Sequence, residues 1–244
     1  TLNTKTTGAI TATIEASTAT ALKTINKDNN TYTASTNDAS ISVDDINTIN
    51  ALLDGTFTIN STTVTGTQAK LKTLYDDTTG TSGLGDEAFT VGDANITVAE
   101  FNELDALTSG AITATISNVA AAQLVNLTNS GTTSALTISL TDTTADAANV
   151  NTINGKTTGT FTVSSTTING KASDIVSLYG GTGVTGLGDE TVSATSETLT
   201  VSEANTLNTK TTGAITATIE ASTATALKTI NKDNNTYTAS TNDA

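Results

Sequence analysis

The stretch "TVAEFNELDALTSGAITATIS" at residues 97–117 contains both kinds of element from which this chain is built. In its first half, apolar residues recur every three positions at Val98, Phe101 and Leu104, which predicts a short amphipathic helix. In its second half, the letters ITATI at 112–116 alternate apolar residues with threonine, which is typical of a half-buried β-strand. The stretch therefore predicts one helix followed by one strand.

The boundaries of the helices carry their own signals. A hydroxyl residue followed three positions later by an acid forms a capping box, in which each side chain accepts from the other residue's backbone N–H. Such pairs occur at Thr97–Glu100, Ser42–Asp45 and Thr200–Glu203, with Thr143–Asp146 a looser case. Glycine separates helix from strand at Gly8, Gly55, Gly110 and Gly159. We expect these glycines to form left-handed C-caps.

The helix-strand arrangement repeats along the chain. Residues 1–39 are identical to residues 206–244, and the pattern of 97–117 returns in "TVSEANTLNTKTTGAITATIE" at 200–220. Pairs of apolar residues three apart mark the successive units: Leu22/Ile25, Ile46/Ile49, Leu71/Leu74, Phe101/Leu104, Leu124/Leu127, Val150/Ile153, Ile175/Leu178, Ala204/Leu207 and Leu227/Ile230. The sequence thus divides into a first half-block at 1–96, a second at 97–199 and the start of a next block at 200–244.

Units of about 25 residues indicate a repeat architecture. We expect an α/β solenoid in which each turn holds one helix of two to three turns and one strand of five to six residues. The strands would form a parallel sheet on one side, and stacked neighbours would bury the apolar stripe that no unit can bury alone. The alternative is a tandem β-sandwich, because a half-block has the size of an immunoglobulin-like domain. The helical stretches "VDDINTINALLD" and "TQAKLKTLYDDT" oppose that alternative.

Composition excludes several classes of protein. Threonine supplies 60 of the 244 residues, while proline, cysteine, methionine, histidine, tryptophan and arginine are absent. A formal net charge of −14 leaves no basic patch for phosphate, so nucleic acid is not expected as a partner. The apolar runs are too short to span a bilayer, so no membrane insertion is expected. Without cysteine there is no disulfide framework.

The side chains needed for common catalysis are also absent. Without histidine or cysteine, the usual nucleophile and base pairs cannot be assembled. The acid pairs Asp44/Asp45 and Asp76/Asp77 are adjacent in sequence and fall at predicted helix ends, where we expect caps and solvated faces. No phosphate-binding glycine loop is present, since "GGTGVTGLG" at 180–188 follows a helical stretch. We therefore expect no enzyme activity and no cofactor.

Two binding hypotheses remain. "GLGDE" at 83–87 and 186–190 places Asp86, Glu87, Asp189 and Glu190 in loops at a fixed phase, and calcium favours such carboxylates. The glycine-rich nonapeptide of calcium-loaded β-rolls is not matched, so turn formation is the competing interpretation. Thr113 and Thr115 could belong to an ice-binding threonine row, although Tyr32, Ser139 and Ser164 are expected to interrupt it, and threonine is a favoured strand residue in any case.

The phrases "TTGAITATIE", "TLTVSEANTLNTKTTG" and "ASDIVSLYGGTGVTGLGDE" resemble the repeats of giant, threonine-rich, acidic cell-surface proteins of marine cyanobacteria such as Synechococcus. Some of these proteins are linked to swimming without flagella, and some relatives are labelled as haemolysin-type calcium-binding. The likeness covers essentially the whole chain and concerns repeat style. It implies an exported, cell-associated or fibrous protein and assigns no functional residue.

The sequence therefore predicts an extracellular structural protein that forms a filament, sheath or surface-layer element and self-associates through its repeats. The alternative is the repetitive stalk of a cell-surface adhesin, whose binding domain would lie outside these residues.

Overall fold

The computed structural model of the chain describes residues 4–131 and 133–243. This part of the chain is an α/β protein with nine short helices and sixteen short strands. Its strand pairs are all parallel. Parallel pairing excludes the tandem β-sandwich, whose sheets are antiparallel.

Helices and strands alternate along the chain. The helices are α1 (Ala19–Leu22), α2 (Val43–Leu52), α3 (Gln68–Asp76), α4 (Val98–Asp105), α5 (Ala121–Leu124), α6 (Ala147–Asn154), α7 (Ala172–Gly180), α8 (Val201–Asn208) and α9 (Ala224–Leu227). The strands are β1 (Thr11–Thr13), β2 (Thr31–Ser35), β3 (Ser40–Ser42), β4 (Phe57–Thr58), β5 (Thr63–Gly66), β6 (Thr81–Ser82), β7 (Ala88–Val91), β8 (Ile112–Thr115), β9 (Ala135–Leu140), β10 (Thr144–Asp146), β11 (Phe161–Val163), β12 (Thr167–Lys171), β13 (Val184–Thr185), β14 (Thr191–Ser196), β15 (Ile215–Thr218) and β16 (Thr236–Thr238).

Contacts divide the described chain into two compact units. The first comprises the residues up to Thr115 together with those of Thr128–Ala135. Its strands form two parallel runs, β1-β2-β4-β6 and β3-β5-β7-β8. Helices α1 to α4 contact one another in sequence order, and α2 and α3 also pack against β5. Paired residues lie about one repeat apart, as when Ser40 pairs with Thr63 and Thr63 with Ala88.

The second unit comprises Ile116–Leu127 and the residues from Leu136 onward. It has the same construction, with parallel runs β9-β11-β13 and β10-β12-β14-β15-β16. Helices α5 to α8 contact one another in order, and α6 and α7 both pack against β12.

The core is a thin layer of Ile, Val, Leu and Phe between helices and strands. The predicted helix stripe is confirmed, because the first member of every apolar pair lies in a helix and most pairs are buried. Strand alternation is confirmed in β8, where Ile112 and Ala114 are buried and Thr113 and Thr115 are exposed. Each fully buried Leu or Ile stabilises the fold by about 1.5–3 kcal/mol relative to an exposed one.

The structure corrects the prediction of one strand per unit. Two strands separate most successive helices, for example β4 and β5 between α2 and α3. The second strands β3, β5, β7 and β10 have only three or four residues and offer too little alternation to be recognised in the sequence. The helices α1, α5 and α9 are also shorter than expected, with four residues each.

The helix starts are mostly as predicted. Both bonds of the capping box form at Thr97–Glu100 and at Thr200–Glu203. Ser42 caps α2 by accepting from the Asp45 amide. The looser Thr143–Asp146 prediction was wrong, because Asp146 itself is the N-cap of α6.

The expectation for the interelement glycines was wrong. None of Gly8, Gly55, Gly110 and Gly159 has a positive φ. At the last three of these positions, a Cβ atom would collide with the carbonyl oxygen of a residue in the preceding repeat: Tyr32, Glu87 and Leu136, respectively. Glycine is needed there because consecutive repeats approach closely, and not to end a helix.

Threonines on neighbouring strands lie in register on the exposed face. Thr11 and Thr13 pair with Thr31 and Thr33, and the Thr33 hydroxyl donates to that of Thr13 at 3.0 Å. Tyr32 pairs with Ala12 and is buried, so it does not interrupt this row as the sequence suggested.

Within residues 4–131 and 133–243, no helix has the length and apolar character needed to cross a membrane.

Candidate functional site

The two GLGDE turns hold all the predicted metal-site residues. The first turn, 83–87, joins β6 to β7, and the second, 186–190, joins β13 to β14. Both turns require glycine, since φ is +78° at Gly83 and +83° at Gly186, in the left-handed region that residues with a Cβ rarely adopt.

The glutamate of the first turn points into the protein. Glu87 is 2% exposed, and its Oε2 accepts hydrogen bonds from the Tyr75 hydroxyl and the Gly85 backbone N–H, both at 2.8 Å. Its other carboxylate oxygen, Oε1, is buried without a hydrogen-bond partner in the described part of the chain. This carboxylate is therefore only half satisfied.

The glutamate of the second turn is fully satisfied. Glu190 is 1% exposed, and its Oε2 accepts from the Tyr179 hydroxyl at 2.8 Å. The Gly188 N–H lies 2.8 Å from Oε1 and 3.0 Å from Oε2, so both oxygens receive a donor.

The two tyrosines occupy equivalent places near the ends of α3 and α7. Burial raises the pKa of the Tyr75 hydroxyl well above its usual value, and the hydrogen bond to Glu87 raises it further. Burial raises the pKa of Tyr179 in the same way, with Glu190 the second cause. Both hydroxyls therefore stay protonated and act as donors at any physiological pH.

Each turn is also fixed to the repeat that follows it. The backbone carbonyl of Glu87 accepts from the Thr108 hydroxyl at 2.6 Å, and that of Glu190 accepts from the Thr211 hydroxyl at 2.7 Å. Both threonines are buried. One glutamate thus joins the end of a helix, its own turn and the next repeat.

The aspartates behave differently from the glutamates. Asp86 and Asp189 are exposed. Asp86 lines a cavity of about 380 Å³ together with Glu87. Asp189 lines an equivalent cavity of about 320 Å³ with Ser165, while Glu190 is directed to Tyr179 and Gly188.

No group of three or more His, Cys, Asp or Glu side chains is placed to hold a metal ion within residues 4–131 and 133–243. A cation at either turn would need hydroxyl, amide or backbone oxygens in addition to carboxylates. Only the first turn brings two acidic residues to one cavity.

Sequence reasoning missed the tyrosines and threonines that hold the glutamates. The signal for the tyrosines was present, because "LY" at 74–75 and 178–179 recurs in phase with GLGDE. Nothing in the sequence distinguishes Thr108 and Thr211 from the other threonines, of which the chain has 60 in all.

The other acid pairs act as predicted, at helix ends. Asp44 and Asp45, in the first turn of α2, form ion pairs with Lys70 and Lys23. The hydrogen bond from Lys23 lowers the pKa of Asp45. At the end of α3, Asp76 pairs with Lys72.

The chain matches no family model, no curated protein and no solved structure.

Proposed function

We propose that this chain is part of an extracellular structural protein, a filament, sheath or surface-layer element, whose repeats stack as the turns of an α/β solenoid. The observation that carries the proposal is the different burial of one sequence in two places. Residues 1–39 and 206–244 are identical. In the first copy, Leu22 and Ala34 lie beside the repeat that follows and are buried, while their counterparts in the second copy are more exposed. At the opposite edge the order is reversed, since Ile10 is partly exposed, while Ile215 is buried against the preceding strand β14.

On the side of the following repeat, the difference is clear at two apolar positions. Leu22 is buried at 1% exposure and Ala34 at 4%. Their counterparts are Leu227, which is partly exposed, and Ala239, which is exposed. Since the sequence is identical and the same helix forms in both copies, the difference comes from what lies beside them, and β16 is also two residues shorter than β2.

The cover over the first copy is the next repeat. Ala34 of β2 pairs with Phe57 of β4, and α1 contacts α2. At the rim, Lys23 forms an ion pair with Asp45. These contacts would give the second copy the same burial if a repeat like that at 40–66 lay against it.

Stacking of this kind favours a structural role. In a solenoid each repeat contacts only its neighbours, and each turn presents the surface that the next one covers. Parallel strands lie about 4.8 Å apart, so a block of eight turns would extend about 40 Å. Identical blocks would give a rod of uniform section, with its length set by copy number.

The surface chemistry is consistent with a solvated external fibre. The charge of −14 keeps such a rod dispersed, and threonine hydroxyls on neighbouring strands bond to one another on the exposed face. The extracellular location rests on the resemblance of the repeats to cyanobacterial surface proteins.

The experiment is to extend the chain. Residues 40–205 are added after Ala244, followed by further whole blocks, and the products are examined by electron microscopy and small-angle scattering. We expect a thread that lengthens by about 40 Å per block. The control carries Ile→Asp substitutions at the added counterparts of Ile46 and Ile49, which should prevent stacking. Beads of about 100 residues on a string would refute the solenoid.

A further inference from the structure

We propose that the cavity beside the first GLGDE turn binds one calcium ion. This inference does not depend on the proposed structural function. The cavity measures about 380 Å³, and Asn60, Ser61, Asp86 and Glu87 are among the residues that line it. All four carry side-chain oxygens.

Two of the residues that line this cavity each have a buried side-chain oxygen without a partner among the described residues. These oxygens are Oε1 of Glu87, in a side chain 2% exposed, and Oγ of Ser61, in a side chain 5% exposed. Leaving a buried polar atom unsatisfied costs about 1–3 kcal/mol, and more for a charged group. Both atoms belong to side chains that line one cavity, and a single ligand bound between these side chains would give both oxygens a partner.

The charge of the lining selects a cation. Asp86 and Glu87 bring two carboxylates to the cavity, and no lysine lines it. The ion pairs of the first unit's described residues engage Asp44, Asp45, Asp54 and Asp76, so neither cavity acid has a lysine partner there. Flexible all-oxygen sites with carboxylate, amide and hydroxyl donors suit calcium, whereas magnesium needs near-ideal octahedral geometry.

The second turn provides an internal comparison. Its Ser165 hydroxyl donates to the Asp142 carbonyl at 2.6 Å, and both carboxylate oxygens of Glu190 accept from the Gly188 N–H. The two atoms that lack partners at the first turn are therefore satisfied at the second. We expect one calcium site per chain rather than two.

Calorimetric titration of the 244-residue chain with calcium chloride tests the proposal, with magnesium chloride at equal ionic strength as the reference for charge screening. We expect one calcium site that magnesium does not fill. Asp86→Asn should weaken calcium binding at least tenfold, and Ser61→Ala severalfold. The matched variants Asp189→Asn and Ser165→Ala should bind as the unchanged chain does. Circular dichroism establishes that each variant is folded.

Terbium gives an independent readout, because tyrosine can sensitise its luminescence. Tyr75 donates to Glu87, so Tyr75→Phe should remove the sensitised emission, while Tyr179→Phe should leave it. If calcium and magnesium gave equal heats of binding, the proposal would be overturned. A bound water would then be the partner of the two oxygens. Two equal sites, or Asp86→Asn and Asp189→Asn losing affinity equally, would also overturn it.

Discussion

The hydroxyl of Tyr179 donates a 2.8 Å hydrogen bond to Oε2 of Glu190, and both side chains are buried. The bond joins helix α7 to the turn before β14, eleven residues along the chain. A buried carboxylate needs such donors, because burying a charge without partners is costly. The pair therefore holds the end of α7 against the turn before β14.

Replacing Tyr179 with Phe should lower the free energy of unfolding by about 1.5–3 kcal/mol, the range for a hydrogen bond to a charged group. Tyr237→Phe is the matched control, because the Tyr237 hydroxyl has no partner in the described part of the chain. Urea unfolding followed by circular dichroism measures both. Equal losses for the two variants would show that the hydrogen bond from Tyr179 to Glu190 contributes nothing to the free energy of unfolding.

The raised pKa values of the two buried tyrosines predict that the chain loses stability at alkaline pH. The pKa values of Tyr75 and Tyr179 are raised in the folded chain, so their contribution to stability is complete below the unfolded value near 10. Above that pH the unfolded chain loses protons that the folded chain keeps. Stability should then fall by about 1.4 kcal/mol per pH unit for each tyrosine.

The control for this prediction is the Tyr75→Phe/Tyr179→Phe double variant. Its stability should fall less steeply between pH 10 and 11.5, since it lacks the two hydroxyls whose pKa values are raised by burial. Urea unfolding at several pH values measures the slopes. A double variant with the same slope as the parent would contradict the assignment.

Much of this fold could be predicted from the sequence, because the three-residue apolar stripe is long enough to recognise in α2, α3 and α4. The second strand of each unit could not, since elements such as "SIS" at Ser40–Ser42 carry only one apolar residue. The acidic residues of the candidate site could be predicted from the sequence, but the side chains that hydrogen-bond to them could not. Which carboxylate turns inward depends on Tyr75 and Tyr179 across a turn, and sequence spacing does not encode that orientation.

A related prediction concerns the close contact between repeats. A Cβ atom at Gly110 would collide with the backbone carbonyl of Glu87, which cannot move away as a flexible side chain could. Gly110→Ala should therefore lower stability by about 1–3 kcal/mol, as overpacking does. Gly180→Ala is the control, because that added Cβ meets nothing within 4 Å at the end of α7, and it should be neutral or slightly stabilising. Thermal unfolding compares the two, and an equally stable Gly110→Ala would contradict the close-approach explanation.

The capping box of α4 gives a prediction about helix starts. Thr97→Ala removes the hydroxyl that accepts from the Glu100 amide and should cost about 1 kcal/mol. Lys171→Ala is the control, since Lys171 begins α7 without a side-chain cap bond. Urea unfolding measures both, and equal losses would contradict a capping role.

Lowering the pH should remove part of the stability that the capping box of α4 contributes. Backbone and side-chain hydrogen bonds from Thr97 lower the pKa of Glu100, so its stabilising effect is present above the unfolded value and is lost as the pH falls through the folded one. The difference in stability between the parent chain and Glu100→Gln should therefore shrink below about pH 4. A difference that stays constant down to pH 2 would contradict the lowered pKa.

The identical copies allow one substitution to be compared in two surroundings. Leu22→Ala removes a leucine that is 1% exposed and should cost about 2–5 kcal/mol. Leu227→Ala makes the same change in the same local sequence, where the side chain is partly exposed, and should cost much less. Urea unfolding of each variant, with hydrogen exchange to locate the loss, measures the difference. Equal losses would mean that each copy is packed by its own residues alone, and the stacking argument would then fail.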